Sequence, residues 1–191
     1  MKIEIDVLSD PKDFVETWSK QYSINNNYLY NENIQNGLED FDSFMNLFRW
    51  KNGIYNISKS KTKVIENFWT KREVLKELKI SFRWELFEEY FKPEKSSCIW
   101  KIFLLHITDP QNFPIFDVHV YRVHYFISNG VISEIPKNQR SKYLYYKRDY
   151  LDWFRELINK YNLDPKKVDE SLFSFGRKLK KLNDIPLKLI K

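Results

Sequence analysis

Apolar residues recur every three to four positions over most of this chain, the spacing that lines them up on one face of an α-helix. The pattern predicts a helix over Asp13–Lys20, with Pro11 near its start. A second runs over Leu38–Trp50, where Leu38, Phe41, Phe44, Met45, Leu47 and Phe48 share a stripe and Lys51-Asn52-Gly53 reads as the stop. Lys61–Leu78 reads as one long amphipathic helix through Val64, Ile65, Phe68, Trp69, Val74, Leu75 and Leu78. Phe82–Phe91 follows, ended by Pro93, then Ser97–Ile107, ended by Asp109-Pro110, and Val118–Ile127, ended by Asn129-Gly130. Val131–Arg140 reads as a loop with at most a little strand, and Ser141–Tyr161 as a long aromatic, basic helix. Asp164-Pro165 pairs an N-cap with a first-turn proline and opens a helix reaching about Lys181. Only Lys2–Val7 alternates polar with apolar residues, as a short N-terminal strand would. The expectation is a mainly α chain, compact and multi-helical, forming one domain over 1–191 with a basic tail at 181–191. No internal repeat or low-complexity linker interrupts it.

Composition narrows the chemistry. The chain has 191 residues, enough to bury a core without covalent staples. One cysteine, Cys98, excludes a disulfide framework and a cysteine-rich zinc site. Three histidines (His106, His119, His124) leave little for a metal centre, so no metal and no cofactor are expected. The longest apolar run, Ile102–Ile107, is far short of a membrane helix. Met1–Asp10 lacks the features of a signal peptide, so the expected location is the cytoplasm. A net charge of +6 and 17% aromatic residues suit a polyanionic partner, nucleic acid before membrane.

Three segments carry candidate chemistry. The first is Lys95-Ser96-Ser97-Cys98-Ile99-Trp100-Lys101, running on to His106. Its serines can cap a helix, and a helix start with free N–H groups seats a phosphate. Lys101 is the one full charge in an apolar run; buried, its amine would be held toward neutrality, and otherwise it snorkels to the surface. Lys95 is either a reactive amine at that helix start or an ordinary solvated lysine. The second segment is Phe113-Pro114-Ile115-Phe116-Asp117-Val118-His119-Val120-Tyr121-Arg122-Val123. Asp117 there is either an N-cap or a carboxylate held at a cleft. In the third, Val168–Arg177, Asp169 and Phe173 lie four apart and share a helical face, an acceptor beside an aromatic plate. The bland alternative is a solvated Asp beside a core Phe. Gly176 inside this helix costs about 1 kcal/mol against Ala, which a close approach of another backbone or of a ligand would explain.

The second segment resembles the catalytic-aspartate motif of the helix-hairpin-helix DNA glycosylase superfamily, apolar–Pro–apolar–apolar–Asp–x–[His/Asn]–Val–x–Arg–apolar. The third resembles the C-terminal base-pocket helix of the archaeal 8-oxoguanine glycosylases, with Phe173 where those carry Trp. The first resembles their lysine-bearing helix start, with Lys95 matching the nucleophile and Lys101 the second lysine. The three occur in the family's order and cover about Lys95–Lys181. The usual Gly-x-Gly hairpin is absent, since no glycine lies between Gly53 and Gly130. Counting back from Asp117 by the superfamily's spacing falls near Ser97–Cys98, a register in which water replaces the lysine. There is no four-cysteine motif for an iron–sulfur cluster.

The resemblance implies a glycosylase-like fold with a catalytic cleft and removal of a base flipped out of duplex DNA, oxidised guanine first. It implies that Asp117 stabilises charge on the sugar and that Lys95, Lys101 or water attacks, a lysine giving a Schiff base and a lyase step. Asp169 and Phe173 would hold the base, with Trp50 or Trp69 as a second plate. Ser96 and Ser97 would hold phosphates, and Arg122 would brace Asp117 or meet a phosphate. The expected partner is DNA and the expected state a monomer. Other readings are a glycosylase for hypermodified viral bases in antiviral defence, a non-catalytic nucleic-acid-binding domain, and a protein-interaction domain.

Overall fold

A computed structural model describes residues 10–23 and 25–183. In chain order its α-helices are α1 (Pro11–Ser19), α2 (Asn27–Asn33), α3 (Phe41–Asn52), α4 (Lys59–Trp69), α5 (Arg72–Ile80), α6 (Trp84–Phe91), α7 (Cys98–Thr108), α8 (Val118–Asn129), α9 (Gln139–Tyr145), α10 (Leu151–Tyr161) and α11 (Pro165–Asn183). A π-helical turn, Tyr146–Tyr150, joins α9 to α10. The protein is mainly α, and no strand occurs among the described residues. The strand expected at Lys2–Val7 and residues 184–191 of the basic tail lie outside them. No helix among the described residues is long and apolar enough to cross a membrane.

Short polar side chains start many of these helices. Asp10, Asp40, Ser97, Asp117, Asn138 and Asp164 each accept a hydrogen bond from a first-turn N–H, satisfying donors that the helix itself leaves open. Gly53 (φ 69°) and Gly130 (φ 70°) end α3 and α8 in the left-handed region, where a side chain would be strained.

The helices gather into two compact units, one of residues 1–22 and 111–191, the other of Ser23–Pro110. The second unit is built around phenylalanine. Phe44, Phe48, Phe68, Phe87, Phe91 and Phe103 are at most 1% exposed, and each buried ring is worth about 1.5–3 kcal/mol. Phe48 meets Phe44, Phe68, Trp100 and Phe103 at 5.1–5.9 Å. Gly37 lets the α2–α3 connection settle on Leu47 and Ile107.

Here the structure corrects one expectation. The stretch read as a single helix over Lys61–Leu78 breaks between α4 and α5. Thr70 turns its hydroxyl back onto the Asn67 carbonyl (2.9 Å), and Lys71 donates from its side chain to the Tyr90 carbonyl (2.9 Å) and to Glu94. α4 then packs on α3 while α5 packs on α6 and α7. The apolar stripe runs through the break, so periodicity alone reads it as continuous.

In the first unit α11 packs against both α1 and α8. The long helix expected over Ser141–Tyr161 is present as α9, the π turn and α10, with one turn widened. That turn brings Tyr146 and Tyr150, both fully buried, onto Phe116 at 5.5 and 5.3 Å.

Candidate functional site

The chemistry of the first unit gathers where α8 starts and α11 passes it. Gly176 sets the separation. A Cβ there would lie 2.3 Å from the His119 carbonyl oxygen and 2.7 Å from its carbon, so only glycine lets the two backbones approach so closely. The approach that the glycine suggested is thus to another backbone.

Asp117 is the N-cap of α8. Its Oδ1 accepts from the N–H groups of His119 (2.8 Å) and Val120 (3.0 Å), and the side chain is half-buried. Across the crossing, Asp169 is 7% exposed and its Oδ2 accepts from Ile115 N (3.1 Å), two residues before Asp117. Phe173, one turn along α11, meets the His119 ring at 5.0 Å and the Tyr22 ring at 5.6 Å, both edge-on. The Arg177 guanidinium lies 5.9 Å from the Phe173 centroid. Of these three neighbours of Phe173 only Arg177 is exposed.

The electrostatics are shared across the crossing. Burial raises the Tyr22 phenol well above its ordinary value, and the charges of Glu170, Asp169 and Asp117 push it the same way. Tyr150, fully buried, is raised by burial and again by Asp169 and Asp117. Burial lowers the pKa of His119, and the cations Arg122 and Arg177 add to this. Asp117 and the Gly176 carbonyl oppose the shift without reversing it. Arg122 Nη1 lies 3.3 Å from His119 Nδ1. A guanidinium can only donate, so that contact requires a neutral ring with its proton on Nε2.

Arg122, expected either to brace Asp117 or to meet a phosphate, is turned inward. It is 1% exposed, donates to the Gly176 carbonyl (3.1 Å) and pairs with Glu134 through Nη2 (2.7 Å). It holds α8, α11 and the loop after α8 together, rather than bracing Asp117. A surface groove of about 580 Å3 on this unit is lined by Val15, Glu16, Leu163, Asp164 and Glu170, among others. It shares Glu170 with the surroundings of Tyr22, but Asp117, Asp169 and Phe173 do not line it.

The remaining candidates belong to the second unit. Lys95 is exposed in the turn before α7. Ser97 caps that helix through Trp100 N (3.3 Å), and Ser96 precedes it. Lys101 is half-buried, its amine donates to the Lys92 carbonyl (2.9 Å), and burial lowers its pKa. Trp50 and Trp69, expected as base-stacking plates, both pack on aromatic neighbours, Trp50 buried and Trp69 half-buried. Trp50, 8% exposed, is closed in by Tyr30 at 4.7 Å and Phe103 at 5.8 Å. Trp69 lies against Phe41 and Phe44, with Arg72 over its ring. Sequence reasoning missed Tyr22 as a neighbour of the site. It sits beyond α1 with no motif around it, and only the packing of α1 on α11 draws it in.

No family model matches the chain, and no curated protein or solved structure matches it.

Proposed function

We propose that the protein is a DNA glycosylase that removes a modified base, oxidised guanine in the first instance, with Asp117 as its central carboxylate. The observation that carries this reading is the meeting, at one helix crossing, of Asp117 with Asp169 and the Phe173 ring. The resemblance of the Phe113–Val123 segment to the glycosylase aspartate motif supports it.

In this reading the target nucleotide leaves the stack, its ring rests on Phe173 and its edge donates a hydrogen bond to Asp169. The N-glycosidic bond breaks with its electron pair going to the base, which takes up a proton. The Asp117 carboxylate stabilises the positive charge left on the sugar. C1′ then receives either water, which loses a proton, or a neutral lysine amine. Amine attack leaves a Schiff base that permits strand cleavage.

The test is base release from a panel of duplexes, each with one modified base, oxidised guanine and hypermodified pyrimidines included. Asp117→Asn is the decisive variant because Asn caps a helix about as well as Asp, so the fold is kept while the charge is removed. Release by the wild type and none by the variant is expected. No release from any duplex, or release by the variant at the wild-type rate, would overturn the proposal. Borohydride trapping of a protein–DNA adduct assigns the nucleophile: an adduct marks a lysine, and active enzyme without one marks water.

One observation favours a second reading, a non-catalytic DNA-binding protein. Asp117 Oδ1 is already engaged in the cap, as a purely structural aspartate would be. That reading expects salt-sensitive binding and no abasic product.

A further inference from the structure

Between Ser43 and Ile65 the chain has no acidic residue and five basic ones: Arg49, Lys51, Lys59, Lys61 and Lys63. This stretch makes α3, the loop after it and the first turns of α4, all within the second unit. At the tip of the loop Ile54 is 50% exposed and Tyr55 is 58% exposed. Apolar groups so far out of the core gain nothing from folding.

The contacts of Arg49 and Lys61 leave their charge in place. Arg49 donates to the Asn46 amide oxygen (2.7 Å) and lies 4.9 Å from the Tyr55 ring. Lys61 donates to the Asn52 amide oxygen (2.8 Å), and its amine is 5.9 Å from the Trp100 ring. These partners are neutral. Three of the unit's carboxylates are engaged elsewhere, in the Lys71–Glu94, Lys76–Glu39 and Arg83–Glu77 pairs. Lys59 and Lys63 are four apart at the start of α4, both exposed. Like charges at that spacing weaken a helix, all the more at its positive N-terminal end. Ser58 at the N-cap makes no side-chain cap bond, and its hydroxyl lies 3.2 Å from that of Ser60. Amines, hydroxyls and open N–H groups together match phosphate, and the exposed ring and isoleucine match the face of a base.

We propose that this face of the second unit grips a DNA strand. Arg49, Lys59, Lys61 and Lys63 hold its phosphates, and Ile54 and Tyr55 lie against bases where the stack is interrupted. The grip does not require excision; only the choice of DNA over RNA rests on the glycosylase reading.

The experiment is fluorescence anisotropy on the full chain with unmodified oligonucleotides of one sequence: intact duplex, duplex with a one-nucleotide gap, single-stranded DNA and single-stranded RNA, each over a salt series. Lys59→Gln/Lys63→Gln should weaken all DNA forms about tenfold and lower the salt slope for duplex by about two, roughly one for each phosphate that is no longer neutralised. Tyr55→Ser should weaken gapped and single-stranded DNA about tenfold and intact duplex little. Lys178→Gln/Lys180→Gln, on exposed positions of α11, serves as the charge control. Parent-like binding by the α4 variant, or an equal loss in the control, would overturn the proposal, and so would tighter binding to RNA than to DNA. Because these probes carry no modified base, a protein that binds them through this face yet releases no base from the modified duplexes would defeat the glycosylase reading and leave this one standing.

Discussion

The two units bury different mixtures of aromatic residues. In the second, phenylalanines dominate the core, joined by Tyr30, Trp50 and His106. In the first, Phe113, Phe116 and Phe154 share the interior with Tyr121, Tyr146, Tyr150 and His124, and Tyr22, His119 and Tyr145 lie at partial depth. Burial raises those phenols and depresses those imidazoles, so each resists ionisation. A polar-tipped interior costs stability that a phenylalanine core does not. It also sets Asp117 near phenols and an imidazole held neutral, with Asp169, Arg122 and Arg177 as the charges at the same crossing. On these readings the first unit holds the chemistry and the second the grip.

Asp117→Asn makes the largest break in that division. A lost charge at a developing cation should lower base release by about a hundredfold or more, with DNA affinity within twofold of wild type. A variant that lost affinity and activity together would place grip and chemistry in the same unit.

The next effect is on stability. Burial holds His124 at about 4 in the folded chain, against an ordinary value of 6.5. Between those values the unfolded chain binds a proton that the folded chain refuses, so this residue makes stability rise with pH from 4 to 6.5 and level off above. At 1.36 kcal/mol per unit the full swing is roughly 3 kcal/mol. Urea midpoints at pH 4.5, 5.5 and 7 should show that slope, and His124→Asn should flatten it. An unchanged slope would mean that other groups cause it.

How far the sequence could be read follows the same line between local and tertiary causes. The caps at Ser97, Asp117 and Asp164 and the stops at Gly53 and Gly130 depend on neighbours in sequence, and they are present as expected. α2 was not legible: Asn27–Asn33 is rich in poor helix formers and buries only two adjacent residues. It is held from outside, by α3 and by the contact of the Tyr30 hydroxyl with His106 Nε2 at 2.8 Å. At the site, Asp117, Asp169 and Phe173 were legible as a motif and a helix face. Arg122 was not, because its partners are a carbonyl 54 residues away and a loop carboxylate. Nor was the setting of Trp50, since its neighbours in sequence do not show that Tyr30 and Phe103 close over it.

The smallest effects come from the two glycines that each unit uses for close packing, and they separate backbone crowding from side-chain crowding. Gly176→Ala drives a methyl into the His119 backbone, which is fixed by the Asp117 cap and by Arg122. Overpacking of that kind costs about 1–3 kcal/mol, outweighing the roughly 1 kcal/mol gained in helix propensity. The melting temperature should fall by several degrees, at about 2–4 °C per kcal/mol for a chain of this size. Gly37→Ala meets Leu47 Cδ1 at 2.6 Å and Ile107 Cγ2 at 3.1 Å, both ends of side chains that can turn aside. Its strain is offset by the lower entropy of the unfolded chain, worth about 0.4–1 kcal/mol, so thermal melts should differ from wild type by no more than about 2 °C. If Gly37→Ala instead costs as much as Gly176→Ala, the second unit's core is as rigid as a backbone crossing, and the contrast between yielding side chains and a fixed backbone fails.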